Sequence, residues 1–331
     1  MDLRLQLRLR QDQRRVPHVN QAAPATKPVL AVACGVLVRD GKVLLAQRPA
    51  GKVAAGSWEF PGGKIEPGET TRQALERELH EELGVEVRGA RPLIRFRHEY
   101  TNRTVLLDTW LIDRFDGEPH GREEQALAWV TAQELAVHPQ VLPTVLPIAG
   151  ALRLPADYVF TPPDADEAFL LQRLAQLPAG ALLRLRRPGL DDAAYAVLAR
   201  RLAPPCTAQG LRLVLDRGAA LSVQLGAGWH ATSVVLAMLE SLPAGLHCHA
   251  SCHMPQELER AARLGFASAV LGPVRATATH PGMSPLGWER FAEWTAALQL
   301  PVYGLGGVGP AQREEAFAAY AQGVAGIRAY W

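Results

Sequence analysis

Lysine is scarce in this chain of 331 residues, where it occurs only at Lys27, Lys42, Lys52 and Lys64. Arginine supplies the positive charge of everything that follows. Because arginine carries a planar guanidinium rather than a compact ammonium group, chemistry that requires a lysine is excluded from the C-terminal half. The formal net charge is only +2, so the charge balance gives no reason to expect a nucleic-acid polymer as a partner.

Regularly spaced cysteines and long apolar runs are also missing. The four cysteines have irregular spacing, which excludes a disulfide framework. No apolar stretch is long enough for a signal peptide or a membrane span, so we expect a cytoplasmic protein with no membrane partner. Residues 1–27 alternate leucine with arginine and then become rich in proline and alanine. We interpret them as a disordered tail or an over-extended translation start, with a basic interaction arm as the alternative.

Two domains are expected, because the chain is longer than one ordinary compact domain. From Val29, apolar runs predict strands that are joined by a hairpin at Asp40-Gly41. A glycine-rich loop, a helix and further strands follow, and a helical segment closes this part by residue 152. The pattern predicts an α+β domain over residues 28–153.

After Ala156, short apolar strands alternate with helical stretches. We count eight such strands and place the eighth at residues 326–331. This alternation predicts a parallel (β/α)8 barrel over residues 157–331, with the domain boundary at the Leu154-Pro155 join. At about 175 residues it would be a compact barrel, since ~250 is typical.

The helix of the first domain has clear start and stop signals. Thr70 followed by Gln73 predicts a capping box, and Gly84 is well placed to end the helix in a left-handed conformation. Three leucines recur every fourth residue and predict a buried stripe, namely Leu75, Leu79 and Leu83.

The same helix carries three glutamates on a neighbouring face. Glu78, Glu81 and Glu82 fall at i, i+3 and i+4, so their carboxylates repel each other unless a cation lies between them. Hard oxygen ligands suit Mg²⁺, which also binds phosphate oxygens. The alternative is an ordinary acidic helix face that is neutralised by Arg77. The preceding Gly62-Gly63 pair favours the cation site, because it lets the backbone approach a metal ion or a phosphate closely.

The full sequence pattern decides between a cation site and an ordinary acidic helix face. Gly63, Glu69, Arg77-Glu78-Leu79, Glu81-Glu82 and Gly84-Val85 reproduce the Nudix box, G-x5-E-x7-R-E-U-x-E-E-x-G-U, without a mismatch. Residues 29–152 therefore resemble the MutT branch of the Nudix hydrolases, which have a mixed sheet sandwiched by helices.

The resemblance implies a metal site. It makes Glu78, Glu81 and Glu82 the ligands of Mg²⁺, with Mn²⁺ as a substitute, and Gly62 a carbonyl ligand. Arg77 and Glu69 would pair and orient the helix. Glu123 matches a loop glutamate that supplies a further ligand or a base, although the adjacent Glu124 leaves that register open.

The resemblance also implies a nucleotide substrate. Arg48 matches a substrate-contacting arginine, Phe60 matches an aromatic residue beside the base, and Gly62, Gly63 and Lys64 form the adjoining loop. MutT proteins cleave 8-oxo-dGTP to the monophosphate and pyrophosphate, which cleanses the nucleotide pool and protects DNA. Where they use an asparagine to read the oxidised guanine, this chain has Thr144 or Val145. Valine cannot hydrogen-bond a base edge, so discrimination of guanine is open.

Residues 157–331 resemble thiamine-phosphate synthase and its TenI relatives, which are small (β/α) barrels. Gly306-Gly307 would lie at the phosphate-binding corner, and Asp216 matches one of the two aspartates of the synthase. The other synthase groups are replaced, by Leu215, by Val234-Val235 and by His280. These replacements make synthase activity unexpected and leave a binding or regulatory module for a phosphorylated ligand.

Two further interpretations of the barrel stay open. His253 matches the histidine that transfers protons in TenI thiazole tautomerases. The run from His247 to His253 contains three histidines and two cysteines that resemble a soft-metal site, but alternate strand residues point to opposite faces, so a structural role is favoured.

Three hypotheses about function result. The leading one is a MutT-like pyrophosphohydrolase of nucleoside triphosphates. The second is hydrolysis of a thiamine-pathway pyrophosphate at the same glutamates, and the third is a barrel that senses a ligand without chemistry. The oligomeric state is not predicted.

Overall fold

The computed structural model describes residues 27–277 and 284–331. The interpretation of the N-terminal tail therefore lies outside the described residues up to position 26, and so does the replacement at His280. Among the residues that the structure describes, no helix is long and apolar enough to cross a membrane.

The N-terminal domain is built on a seven-stranded mixed sheet with the central order β3-β2-β1-β6-β5, in which β4 also pairs with β1 and β7 with β2. Only β1 and β6 run parallel among these pairs. The strands are β1 Val29–Arg39, β2 Lys42–Gln47, β3 Trp58–Glu59, β4 Gly62–Lys64, β5 Glu86–Glu99, β6 Thr104–Asp116 and β7 Leu127–Thr131.

Helices cover both faces of this sheet, which confirms the predicted sandwich. Helix α1 (Thr71–Leu83) packs on one face, and α2 (Ala132–Val137) and α3 (Val145–Leu152) pack on the other. The Thr70–Gln73 capping box is formed and Gly84 ends α1 with φ 72°. The leucine stripe of α1 is fully buried, so the local pattern predicted both the limits of this helix and its packed face.

The C-terminal domain is a closed barrel of eight parallel strands, as predicted. Its strands are β8 Asp157–Phe160, β9 Leu182–Leu185, β10 Arg212–Leu215, β11 Gly228–Ala231, β12 Cys248–Cys252, β13 Ser268–Leu271, β14 Val302–Leu305 and β15 Gly323–Gly326. Its helices are α4 Glu167–Arg173, α5 Asp192–Ala208, α6 Ala219–Leu225, α7 Ser233–Met238, α8 Pro255–Leu264, α9 Gly287–Thr295 and α10 Arg313–Ala318. Short 3-10 turns lie at Leu174–Gln176 and Pro310–Gln312.

The predicted position of the eighth strand was wrong. The strand is Gly323–Gly326, and residues 327–331 form turns after it. Its small residues carry little strand signal, yet they are required here, because a Cβ on Gly323 would lie 1.9 Å from the Ala156 carbonyl oxygen. The bulky residues after it resemble a strand but cap the barrel: Tyr330 and Trp331 hydrogen-bond to Asp157 and Phe160 in β8.

The two domains meet at the end of the barrel where its strands begin. The Gln299 amide, which precedes β14, donates to the Arg97 carbonyl at 2.8 Å. Tyr320, which precedes β15, donates to Asp108 in β6 at 2.5 Å. The N-terminal domain therefore leaves the opposite end of the barrel uncovered. That is the end at which the strands finish, where the ligand sites of such barrels lie.

Candidate active site

The glycine-rich loop lies against the acidic face of α1. A Cβ on Gly63 would lie 2.3 Å from the Glu78 carboxyl carbon, so this position must be glycine for the carboxylate to occupy its place. Gly62 has φ 139° and approaches the backbone of β1, where a Cβ would lie 2.2 Å from the Ala33 carbonyl oxygen. The pair Gly62-Gly63 therefore brings the loop into direct contact with the helix that carries the glutamates.

Glu82 is a largely buried carboxylate of this cluster. The Gly62 N–H donates to its Oε2 at 3.1 Å. Burial, with smaller contributions from the charges of Glu123, Glu78 and Glu59, raises the pKa of Glu82 to about 7. Because neighbouring carboxylates repel one another, a divalent cation among them would restore the balance of charge.

Arg77 connects the loop that precedes α1 to the helix by hydrogen bonds. Its guanidinium makes two hydrogen bonds to Glu69, at 2.8 and 3.0 Å, and a third to the Lys64 carbonyl at 3.1 Å. It also contacts Glu78 at 2.9 Å and Glu81 at 3.4 Å. The structure thus brings Glu69 and Arg77 together, and it holds the start of the loop to the middle of α1.

A small cavity opens beside Glu82. Arg48 pairs with both oxygens of Glu59 at 2.7 and 2.8 Å on one wall. Lys52 pairs with Glu123 at 2.6 Å at the rim. The cavity is lined by Ala46, Gln47, Arg48, Pro49, Lys52, Glu59, Phe60, Pro61, Gly62, Glu82, Glu123 and Gln125.

Of the two adjacent glutamates in the acidic loop, Glu123 and Glu124, one lines the cavity. Glu123 lines it, whereas the neighbouring Glu124 has φ 61° and is exposed outside the lining. Gln125 is buried and connects this loop to α1, because its amide donates to the Glu82 carbonyl at 3.2 Å and accepts from the Glu123 N–H at 2.8 Å.

Other residues that were predicted to contact a nucleotide are buried or lie outside the cavity lining. Phe60 lines the cavity but is only 4% exposed and belongs to the core. Lys64 is exposed and lies outside the lining. Thr144 and Val145, at the start of α3, are 7% and 1% exposed and lie outside the lining as well. A base bound in this cavity would therefore be contacted by other side chains.

The donors of this site suit a hard divalent cation after a rearrangement. In the described parts of the chain, no three histidine, cysteine or acidic side chains converge closely enough to hold a metal ion as they stand. Arg77 holds Glu78 and Glu81, and Lys52 holds Glu123. Release of these carboxylates from the basic side chains would free oxygen donors of the kind that Mg²⁺ and Mn²⁺ prefer.

The barrel places its own candidate residues at the ends of three strands. Asp216 follows β10, His253 follows β12, and Gly306 and Gly307 follow β14 with φ 94° and 65°. All four thus lie at the uncovered end of the barrel. His253 Nδ1 lies 3.1 Å from the Gly272 carbonyl oxygen.

The run of histidines and cysteines spans both faces of the barrel wall. Cys248 and Cys252 are buried between the strands and the outer helices. His249 points inward and shares a hydrogen bond with Ser268 at 2.7 Å. The cysteines and His249 thus lie on different faces of the barrel wall.

Sequence reasoning missed several polar groups that the fold assembles. In the N-terminal domain they are Lys52, Glu59 and Gln125. In the barrel, Arg184 is buried and its guanidinium lies 3.2 Å from Asp216. A charged residue at an inward position of an otherwise apolar strand, as in the ALLRLR run, was an available signal.

Comparisons with known proteins match both domains. The model of the Nudix domain matches residues 27–147, and the model of thiamine monophosphate synthase matches residues 158–330. A CTP pyrophosphohydrolase from Escherichia coli is 42% identical over 123 residues, which cover 37% of this chain and 90% of the relative. An 8-oxo-dGTP diphosphatase from Haemophilus influenzae is 41% identical over 110 residues, 33% of this chain and 81% of the relative. A second 8-oxo-dGTP diphosphatase, from Escherichia coli, is 37% identical over 103 residues, 31% of this chain and 80% of the relative.

Proposed function

Because the chain belongs to the Nudix family through its N-terminal domain and to the thiamine monophosphate synthase family through its barrel, we propose that it is a magnesium-dependent nucleoside triphosphate pyrophosphohydrolase. It cleaves 8-oxo-dGTP or a related nucleotide to the monophosphate and pyrophosphate, with Mn²⁺ able to replace Mg²⁺. In this role it removes damaged or unwanted nucleotides before they are incorporated into DNA.

The observation that carries this proposal is the position of Glu82. Its carboxylate is buried, held by the Gly62 N–H and surrounded by the charges of Glu78 and Glu123. Glu78 and Glu82, joined by Glu81 and Glu123 after rotation and by the Gly62 carbonyl, would hold the cation. Bound Mg²⁺ supplies positive charge that stabilises the phosphates and lowers the pKa of water.

The side chains around the cavity have separate tasks in this proposal. Arg77 and Glu69 keep α1 in register with the loop. Arg48 and Lys52 provide cations on the wall that a triphosphate would face, and Glu123 provides either an oxygen ligand or the base that accepts a proton from the attacking water.

The base of the nucleotide is the less restricted part of the substrate. The relatives are named for nucleoside triphosphates with two different bases, cytosine in CTP and 8-oxoguanine in 8-oxo-dGTP. The buried Thr144 and Val145 offer no hydrogen bond to a base in the cavity. We therefore include CTP beside 8-oxo-dGTP among the candidate substrates.

The test uses the purified full chain with Mg²⁺ and a panel of 8-oxo-dGTP, dGTP, CTP and thiamine diphosphate. We expect pyrophosphate release from at least one nucleoside triphosphate. The Glu82→Gln variant should lose roughly two orders of magnitude in kcat, as when charge stabilisation at a reacting centre is removed. Glu76→Gln is the matched control, because Glu76 lies on the same helix, is half-exposed and pairs only with Arg72 at its surface. Full activity of Glu82→Gln would contradict the assignment.

A thiamine-pathway pyrophosphate is the second candidate substrate, suggested by the fused barrel. The orientation of the domains does not favour it, because the N-terminal domain contacts the end of the barrel where the strands begin. The candidate residues of the barrel then lie at the end away from these interdomain contacts. A preference for thiamine diphosphate in the panel would reverse this ranking.

A ligand-sensing barrel is compatible with either substrate. Asp216, Arg184 and the Gly306-Gly307 turn lie at the uncovered end. Thermal-shift measurements with inorganic phosphate and thiamine monophosphate test this idea, and the absence of any shift would remove its support.

A further inference from the structure

Asp108 is a buried carboxylate on which three parts of the molecule converge. It lies in β6 and is 5% exposed. The Thr71 hydroxyl donates to it at 3.0 Å, the Trp110 indole at 2.9 Å and the Tyr320 hydroxyl at 2.5 Å. Thr71 is the first residue of α1, and Tyr320 belongs to the barrel. One carboxylate therefore joins the barrel to the start of the helix that carries the glutamates.

Tyr320 has a backbone conformation that a tyrosine rarely adopts. Its φ is 59°, in the left-handed region where glycine usually follows a helix such as α10. The strained conformation is held by contacts across the domain boundary, because the Arg95 guanidinium lies 4.5 Å from the centre of the Tyr320 ring and the hydroxyl reaches Asp108. A glycine would relieve the strain but would lose both contacts, so the tyrosine is better explained by the interface than by the turn.

Anchoring the start of α1 has consequences at its other end. The helix rises ~1.5 Å per residue, which places Glu78 about 10 Å and Glu82 about 16 Å from Thr71 along a rigid rod. The Asp108 charge also lies at the helix end where the backbone dipole favours an anion. Arg72, the next residue, packs 5.9 Å from the Trp110 ring centre, so the helix is held to β6 at two adjacent positions.

We propose that Tyr320 of the barrel is a positioning residue for the hydrolase site. Through Asp108 it holds the start of α1 and thereby sets where Glu78 and Glu82 lie relative to Gly62. The barrel is then part of the scaffold of the hydrolase, whatever it binds at its opposite end. This inference rests on the proposed function, in which these glutamates hold a divalent cation.

The test compares two tyrosine variants of the full chain. Tyr320→Phe removes only the hydroxyl that reaches Asp108. Tyr330→Phe is the matched control, because the Tyr330 hydroxyl also donates to a buried carboxylate, Asp157, at 2.8 Å, but entirely within the barrel. Binding of Mn²⁺ is measured by calorimetry without nucleotide, and amide hydrogen exchange is measured across residues 71–83.

In Tyr320→Phe we expect Mn²⁺ to bind roughly three- to tenfold more weakly and the amides of α1 to exchange faster, as for other couplings between distant sites. Tyr330→Phe should lower the melting temperature and leave both readouts at the wild-type value. Equal Mn²⁺ affinity and equal exchange in Tyr320→Phe and the wild type would overturn the proposal and reduce this contact to a structural one.

Thr71→Val gives an independent arm that leaves the barrel intact. It should weaken Mn²⁺ binding in the same direction, and its effect should not add fully to that of Tyr320→Phe, because both hydroxyls act through Asp108. In turnover assays we expect a lower kcat with KM for the nucleotide within about twofold, since the cavity wall is untouched. If the wild type turned over no nucleotide while Mn²⁺ affinity and exchange still changed, the proposed function would fail and the positioning role would stand.

Discussion

The ammonium group of Lys52 lies 2.6 Å from Oε2 of Glu123, at the cavity that contains Glu82. The hydrogen bond with Glu123 is the main reason why the pKa of Lys52 is raised. The side chain therefore stays protonated at neutral pH and neutralises a carboxylate that is a candidate metal ligand. In the proposed metal site, Lys52 and a bound cation would compete for the same oxygen atoms of Glu123.

Replacing Lys52 by methionine should tighten the binding of Mn²⁺ in the absence of nucleotide. We expect a gain of about two- to fivefold, because an ion pair that is half-exposed contributes little free energy. Calorimetric titration measures it, with Lys42→Met at the exposed start of β2 as the control. Unchanged affinity in Lys52→Met would show that Glu123 does not contact the ion.

Replacing Gly63 by alanine should damage catalysis more than folding. The new Cβ would lie 2.3 Å from the Glu78 carboxyl carbon, so that carboxylate must move. A displacement of about 1 Å at a catalytic group can cost roughly a hundredfold in rate. Steady-state kinetics on the best nucleotide of the panel measures the effect.

Gly150→Ala is the control for this glycine. It lies in α3, where a Cβ meets nothing within 4 Å, so alanine should stabilise the helix by about 1 kcal/mol and leave kcat unchanged. If Gly63→Ala kept wild-type kcat, the close contact between the loop and Glu78 would have no role in the reaction.

Metal binding should depend on pH through Glu82. Because burial raises the pKa of its carboxyl to about 7, the group is protonated and neutral below that pH and must release a proton to bind a cation. Affinity for Mn²⁺ should fall by up to about tenfold per unit as the pH drops below 7 and level off above it. Titrations at pH 6, 7 and 8 check this, and a flat profile would contradict it.

In the metal-free protein, the Glu82 carboxyl should make the stability of the fold decrease as the pH rises. A carboxyl whose pKa is raised on folding stabilises the fold below its unfolded pKa of ~4.3, and this contribution is lost as the pH rises through about 7. The melting temperature of the metal-free protein should therefore decline over this range. Glu82→Gln should flatten the decline, because the glutamine does not titrate.

Arg184 and Asp216 form a nearly buried ion pair in the barrel, with side chains that are 5% and 12% exposed. Arg184→Met should destabilise the barrel by about 3 kcal/mol, because it leaves a buried carboxylate without its partner. Thermal unfolding of the full chain measures the loss. Arg201→Met removes a mostly exposed arginine that pairs with Glu167, and it should cost under ~1 kcal/mol. Equal effects of the two variants would contradict the importance of the buried pair.

The helix of the hydrolase site was predictable from the sequence because its signals are local. Thr70, Gln73 and Gly84 act within one turn of the helix ends, and the leucine stripe needs only the helical period. The eighth barrel strand was misplaced for the opposite reason. Its small residues are required by the Ala156 carbonyl, a neighbour that is distant in the chain.

The choice between Glu123 and Glu124 also needed the tertiary structure. Both are acidic, adjacent and on a loop, and no periodicity separates them. The left-handed conformation of Glu124 and the contact of Gln125 with α1 turn Glu123 alone toward the cavity. The sequence likewise did not predict that Glu59 pairs with Arg48 or that Lys52 pairs with Glu123, since the partners are 11 and 71 residues apart.

The family of each domain, the helix that carries the glutamates and the two-domain architecture follow from the sequence, because a fixed spacing on a helix and an alternation of strands and helices are properties of neighbouring residues. The tertiary structure was needed to show that the barrel meets the N-terminal domain with the end at which its strands begin, and that Tyr320 reaches Asp108. Those contacts join residues 202 and 212 positions apart, and their distances follow from packing that no local pattern encodes.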